Sequence, residues 1–161
     1  MFNSAIAINE FQIAGFEKIA ADLPDDLLFV PAAGHGHPPV WIMGHLAISG
    51  QFGQQAFGGS LTRPEWSALF GPGTSDQIAK DDSLTKPVML SAVIDASRTL
   101  RDLASKADPE AMTRRHHVPI FRGTSIRTVG DIVTLLLTNH FGFHLAQLSS
   151  CRRAIGLAPL F

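Results

Sequence analysis

Apolar residues recur at helical spacing in four long stretches of the chain. The first runs from about Ser4, a candidate N-cap, to about Leu23. In it Ile6, Ile8, Phe11, Ile13, Phe16, Ile19 and Ala20 form a broad apolar face, with Asn9, Glu10, Gln12, Glu17 and Lys18 mostly elsewhere. Pro24 and Asp25–Asp26 break it. A second helix is predicted from Pro38–Pro39, where proline suits a first turn, to about Phe57, with Trp41, His45, Ile48 and Phe52 on one face and Gly58–Gly59 as the stop. A third opens at Lys86–Pro87 and runs to about Lys106, turning Leu90, Val93, Ile94, Ser97, Leu100, Leu103 and Ala104 inward and Asp95, Arg98, Arg101 and Asp102 outward. The fourth has the clearest signals. Thr128 is an N-cap with Asp131 three residues on, an acidic variant of the capping box. It extends to about Ile155, with Arg152–Arg153 favouring the negative end of the helix dipole and Gly156 as the C-cap.

Two long connections remain, residues 58–85 and 107–127. Loops of that length are uncommon in compact domains unless they cover something or carry structure of their own. A short helix over Pro64–Leu69 and a short extended stretch at Val118–Phe121 are expected within them. No internal repeat, low-complexity tract or charge run is present. Four long helices without a strong period-two segment predict an all-α four-helix bundle, residues 1–161 forming one domain. An α+β arrangement with a small sheet from residues 110–127 is the alternative.

Composition narrows the partners. Thirteen Lys and Arg against 14 Asp and Glu give a formal charge of −1, which offers no footprint for a phosphate backbone, so nucleic acid is not expected. Mean hydropathy is +0.15, yet no apolar run approaches the roughly 18–20 residues of a bilayer span. The longest candidate, Asp131 to Leu148, is interrupted by Asn139, His140 and His144. A lone cysteine, Cys151, excludes an internal disulfide framework and a thiolate zinc site. With Glu10, Glu17 and no basic flank near the N-terminus, a signal peptide is not expected, and a cytoplasmic setting is.

Seven histidines are the first feature that points to chemistry. His140 and His144, at i and i+4, lie over one another on the row that also carries Ile132 and Leu136. That is the spacing by which a helix presents two imidazoles to one cation. His45, on the apolar face of the second helix, is the third candidate, since a bare imidazole in a core needs a partner. Three imidazoles match a catalytic site with one coordination position open, but they suit zinc, nickel, copper and iron alike. His35 and His37 sit in a glycine-rich approach to the second helix, near the site mouth. His116 and His117 follow Arg114–Arg115 and are expected to face solvent. Cys151 lies seven residues beyond His144, about 10 Å along the axis at 1.5 Å per residue, too far to share the cation; it reads as a small buried hydrophobe. Among Asn139, Gln147, Ser49 and Gln51, Gln147 is the favoured partner for a ligand histidine. Trp41 reads as core or pocket wall, and Trp66 with Leu69–Phe70 either as a loop closing over the site or as simple packing anchors. Gly15, Gly44, Gly50, Gly53 and Gly142 read as close-packing positions. No nucleophile–base pair or phosphate-binding glycine loop is present.

Two segments, Pro39-Val40-Trp41-Ile42-Met43-Gly44-His45-Leu46-Ala47 and Asn139-His140-Phe141-Gly142-Phe143-His144-Leu145-Ala146-Gln147-Leu148 with Arg152-Arg153 and Gly156 after it, resemble the DinB/YfiT-like family of metal-dependent proteins. With four helices in order and a long middle loop, the resemblance covers nearly the whole chain. It implies an up-down-down-up bundle, commonly a homodimer, holding a divalent metal, usually zinc or nickel, on His45, His140 and His144. Characterised members include thiol-dependent transferases and a mycothiol-dependent isomerase, although no thiol-cofactor motif is recognisable here. The leading expectation is therefore a metal-dependent transferase or hydrolase in which the metal activates a water or a low-molecular-weight thiol against a small electrophile. The rivals are a non-enzymatic, metal-stabilised stress-response protein and a plain helical dimerisation domain.

Overall fold

The computed structural model describes residues 1–32 and 36–160, and among them every regular element is helical. The long helices are α1 (Asn3–Asp22), α2 (Pro39–Gln55) and α4 (Lys86–Ser105), followed by a fourth rod built of α6 (Val129–Leu135), a π turn (Leu136–His140) and α7 (Phe141–Ala154). Short helices α3 (Trp66–Phe70) and α5 (Pro109–Thr113) sit in the long connections. The only β pairing among the described residues is one isolated bridge, Arg115 with Thr128, so the α+β alternative fails.

Local chemistry explains most boundaries. Thr128 and Asp131 form the full capping box: the Asp131 amide donates to Thr128 Oγ1 at 3.1 Å and the Thr128 amide to Asp131 Oδ2 at 2.8 Å. Gly156, at φ +87°, provides the left-handed turn after α7 that other residues resist. Pro39 opens α2 after an extended Pro38. Two expectations are corrected. Ser4 is not a cap, because α1 begins at Asn3 without any side-chain cap. Val118–Phe121 is not extended: Pro119, with its fixed φ, starts a 3-10 turn over Pro119–Phe121 instead.

Helix α2 is the central element, packed on α4, α3 and α7, and every residue from Pro39 to Ile48 is buried. Phe16, Val40, Ile42, Met43, Phe70, Met89 and Leu148 fill the main core. A second cluster of Phe2, Leu100, Met112, Val133 and Leu137 closes the other end. Close approach of α2 to α4 depends on Gly50, where a Cβ would meet the Ala96 Cβ at 2.9 Å.

The inward face of α1 differs from the expected one. Ile8 and Phe11 are exposed, whereas Asn9 is only 1% exposed. The reason is the π turn. A π turn winds in one more residue than an α turn, so it disturbs the carbonyl ladder and rotates the rest of the rod. Asn9 Nδ2 donates to the Leu137 carbonyl and Gln12 Nε2 to the Thr138 carbonyl, both at 3.0 Å. Gly142 makes room for the second bond, since a Cβ there would lie 2.7 Å from Gln12 Nε2. Two polar side chains of α1 thus point inward to serve the backbone of the turn that ends in His140.

Candidate metal centre

Three histidines from two distant parts of the chain meet between α2 and the fourth rod. A ring nitrogen of each of His45, His140 and His144 lies within 4.8 Å of those of the others. Ring centroids are 5.1 Å apart for His45–His140 and 4.7 Å for each of the other two pairs. His45 Nε2 and His140 Nε2 are 3.2 Å apart. Zinc–nitrogen bonds of about 2.0–2.1 Å at a tetrahedral angle would set neighbouring nitrogens roughly 3.3 Å apart, so that separation suits two ligands of one ion.

Hydrogen bonds on the far side of two rings fix the inward nitrogen. His45 Nδ1 lies 2.7 Å from the Phe70 carbonyl, an acceptor only, so Nδ1 carries the proton and Nε2 presents a lone pair. His144 Nδ1 donates to Gln147 Oε1, also at 2.7 Å, and its Nε2 is likewise freed. The Phe70 carbonyl belongs to the last residue of α3, one of the groups that a helix end leaves without an internal partner. It reaches His45 because residue 44 is glycine: a Cβ there would stand 2.4–2.6 Å from the Phe70 ring. Gln147 was expected from the sequence. The Phe70 carbonyl was not, since a backbone group leaves no signature in residue type.

Burial favours the uncharged rings. Desolvation, followed by the neighbouring His144 and His45 imidazoles, lowers the His140 pKa to about 3. Desolvation and then His45 lower His144 to about 4, although the Gln147 bond opposes this. His45 is also lowered, by desolvation first, against the Phe70 bond. The trio is therefore neutral at physiological pH and ready to accept a cation without first losing protons. With no carboxylate in the set, a divalent ion held there would keep its full charge, and imidazoles suit borderline metals such as zinc and nickel.

Trp41 is both core and wall. Its ring stacks on His45 at 4.7 Å and 7°, and its Nε1 donates to Thr74 Oγ1 at 3.0 Å. His37 also stacks on Trp41, at 3.7 Å and 10°. Trp66 is buried, packs edge-on to Phe70 and lies under the Arg63 guanidinium, 4.6 Å from its ring, as a packing anchor; of this segment it is the Phe70 carbonyl that reaches the trio. The other candidates fall elsewhere. Gln51 Oε1 accepts from the Thr62 and Arg63 amides and tethers the connection ahead of α3. Asn139 and His117 are exposed, and His35 lies outside the described residues. His116 does not face solvent as expected: its Nε2–H donates to the Ile126 carbonyl at 2.9 Å and its Nδ1 accepts from the Val118 amide at 3.1 Å. Cys151 is buried, which raises its thiol pKa, and it stays out of the trio. Phe52, expected inward, is 40% exposed.

A cleft of about 560 Å³ opens beside the trio, with Trp41, His45 and His140 in its wall and Phe52 among its lining residues.

Fold and site together define an all-helical protein with an inward-facing centre of three neutral histidines that could hold a metal ion. A family model of the DinB superfamily matches residues 9–148, and the chain belongs to that superfamily. No curated protein matches the chain at a significant level. The match takes in all three histidines and both α1 side chains that support the π turn.

Proposed function

We propose that this protein holds one divalent metal ion, zinc or nickel, on His45, His140 and His144, and is a metal-dependent transferase or hydrolase acting on a small electrophilic molecule. The observation that carries the reading is the convergence of three imidazoles within 4.8 Å, two of them held by carbonyl acceptors in the tautomer a metal ligand needs. A bound divalent ion supplies a Lewis-acid centre that lowers the pKa of a water or low-molecular-weight thiol beside it. The chain's own residues hold the imidazoles neutral, fix their direction and exclude water along the Trp41 side. Among the described residues no carboxylate lines the adjoining cleft, and the imidazoles are committed to the ion, so a proton released there passes to solvent or to the reacting molecule.

The same reading places the four long helices in up-down-down-up order and the protein in the cytoplasm as a homodimer. No helix of the described residues is long and apolar enough to cross a membrane. Exposed Ile8 and Phe11 of α1 and Phe143 of α7, on helices that pack against each other, supply apolar surface for a second copy.

Elemental analysis tests the centre. The purified protein is expected to carry about one zinc or nickel per chain, and a His140→Ala, His144→Ala variant to carry none. A folded wild-type chain that takes up no divalent metal overturns the reading and leaves a packed helical dimerisation protein. Consumption of a low-molecular-weight thiol with a panel of electrophiles, lost on metal removal, tests the enzyme. Metal removal that lowers the melting temperature without touching any turnover favours the structural role.

A further inference from the structure

The cleft beside the trio has an almost wholly apolar lining. Trp41, Ile48, Phe52, Val118, Ile120 and Phe121 dominate it, and among the described residues no Asp, Glu, Lys or Arg side chain is in its wall. Among the described residues its polar side chains are the imidazoles of His45 and His140, the hydroxyls of Ser49 and Ser67, and the Trp41 indole, whose N–H is already bonded to Thr74. A neighbouring hollow of about 390 Å³ between α2 and α4 is built the opposite way, with Arg63, Glu65, Asp95, Gln51 and Gln54 around it. The absence of charge is therefore local to the histidine side.

We infer that this cleft receives an uncharged, mainly apolar small molecule whose one polar head reaches the His45–His140 edge. The inference rests on the proposed metal centre for what the head meets, but not for what the rest of the ligand is. A carboxylate or ammonium placed along the wall away from the histidine edge would lose its hydration with no charged partner to replace it, a penalty of several kcal/mol per ion. An apolar tail, by contrast, gains from every methylene it buries. The volume lies within the range of small-molecule sites. Two residues of the wall also carry an unsettled cost in the free protein, since Ile120 is 65% and Phe52 40% exposed, and a ligand lying between them would remove both surfaces from water. The wall from Val118 to Phe121 is ordered in advance by His116, which bonds to the Ile126 carbonyl and the Val118 amide. Forming that wall gives the long connection between α5 and α6 a purpose. Charged thiols such as glutathione do not fit this lining, which confines the thiol reading to an uncharged one.

The test uses the full chain, metal-free and zinc-loaded, with the neutral fluorophore N-phenyl-1-naphthylamine. One molecule is expected to bind per chain in both forms, with blue-shifted emission. Ile120→Glu and Phe52→Glu, both at exposed positions, are expected to weaken binding at least tenfold while zinc stoichiometry and melting temperature stay unchanged. On zinc-loaded protein, alkyl hydroxamates are expected to displace the fluorophore more tightly as the chain lengthens from acetohydroxamate to octanohydroxamate, approaching fourfold per methylene. Displacement by glutathione as effective as by octanohydroxamate, a flat hydroxamate series, or variants that bind like the wild type would each overturn the inference. Zinc uptake without fluorophore binding refutes this inference alone. Fluorophore binding without zinc uptake refutes the metal centre and leaves the apolar cleft standing.

Discussion

Replacing Gly44 by alanine isolates the link between packing and the histidine centre. In an α-helix interior the exchange alone would add roughly 0.5–1 kcal/mol of stability, because alanine is the better helix former. Here the new Cβ meets three Phe70 ring carbons at 2.4, 2.5 and 2.6 Å, and Phe70 is fully buried among Trp66 and the α2 side chains. Carbon–carbon contacts settle near 3.5–4.0 Å, so the ring must withdraw by about 1 Å. Such overpacking costs typically 1–3 kcal/mol, leaving a net loss of about 0–2.5 kcal/mol. The larger effect falls on His45. Its Nδ1–H bond to the Phe70 carbonyl is 2.7 Å long, and moving that carbonyl by about 1 Å takes it beyond hydrogen-bond reach. Losing such an orienting bond weakens metal affinity about 10- to 100-fold. The assay is zinc affinity by competition against a chelator, with denaturant melts on the same samples. Gly53→Ala is the control: its Cβ would meet Leu100 methyls at 2.9 and 3.0 Å and a Leu136 methyl at 3.1 Å, all far ends of flexible side chains and none of them in the trio or Phe70, so stability falls and zinc affinity holds. A folded Gly44→Ala protein within twofold of wild-type zinc affinity, or a Gly53→Ala protein as impaired as Gly44→Ala, would refute the reasoning.

Asn9→Leu removes the donor to the Leu137 carbonyl and leaves that buried acceptor without its partner, at a cost of about 1–3 kcal/mol. Denaturant melts should show the loss, and hydrogen exchange should accelerate at amides of residues 137–142 but not in α4; uniform acceleration would deny the π turn any special dependence on α1. The lowered histidine pKa values predict two opposite pH behaviours. Because the folded pKa values lie below the unfolded value near 6.5, the metal-free protein keeps its full contribution above pH 6.5. It then loses stability as pH falls towards 4 and 3, at up to about 1.4 kcal/mol per pH unit for each histidine. Zinc affinity of the folded chain should nevertheless drop only a few-fold between pH 7.5 and 5.5, whereas three ordinary histidines would each lose about tenfold. Calorimetric titrations at the two pH values decide it, and a thousandfold drop would mean exposed rings.

Features written in consecutive residues were legible in the sequence. The four long helices, the Thr128–Asp131 capping box, the Gly156 terminus and the i, i+4 pairing of His140 with His144 each follow from neighbours a few positions apart, where a 3.6-residue period or a local hydrogen bond fixes the outcome. The inward placement of His45 was legible for the same reason, since Trp41 and Ile48 mark its face. Polarity was the misleading signal on α1. Asn9 and Gln12 read as solvent residues, yet they turn inward because carbonyls of the π turn, more than 120 positions away, need donors.

The sequence by itself thus determined which segments are helical and which histidines share a face, because those properties belong to the local backbone. Only the tertiary structure decided that the π turn lies against α1, that the Phe70 carbonyl meets His45, and that the 118–121 turn walls an uncharged cleft beside the trio. Those contacts join groups far apart along the chain. They exist only once α2 is buried and the backbone groups enclosed with it must find partners in whatever packs alongside.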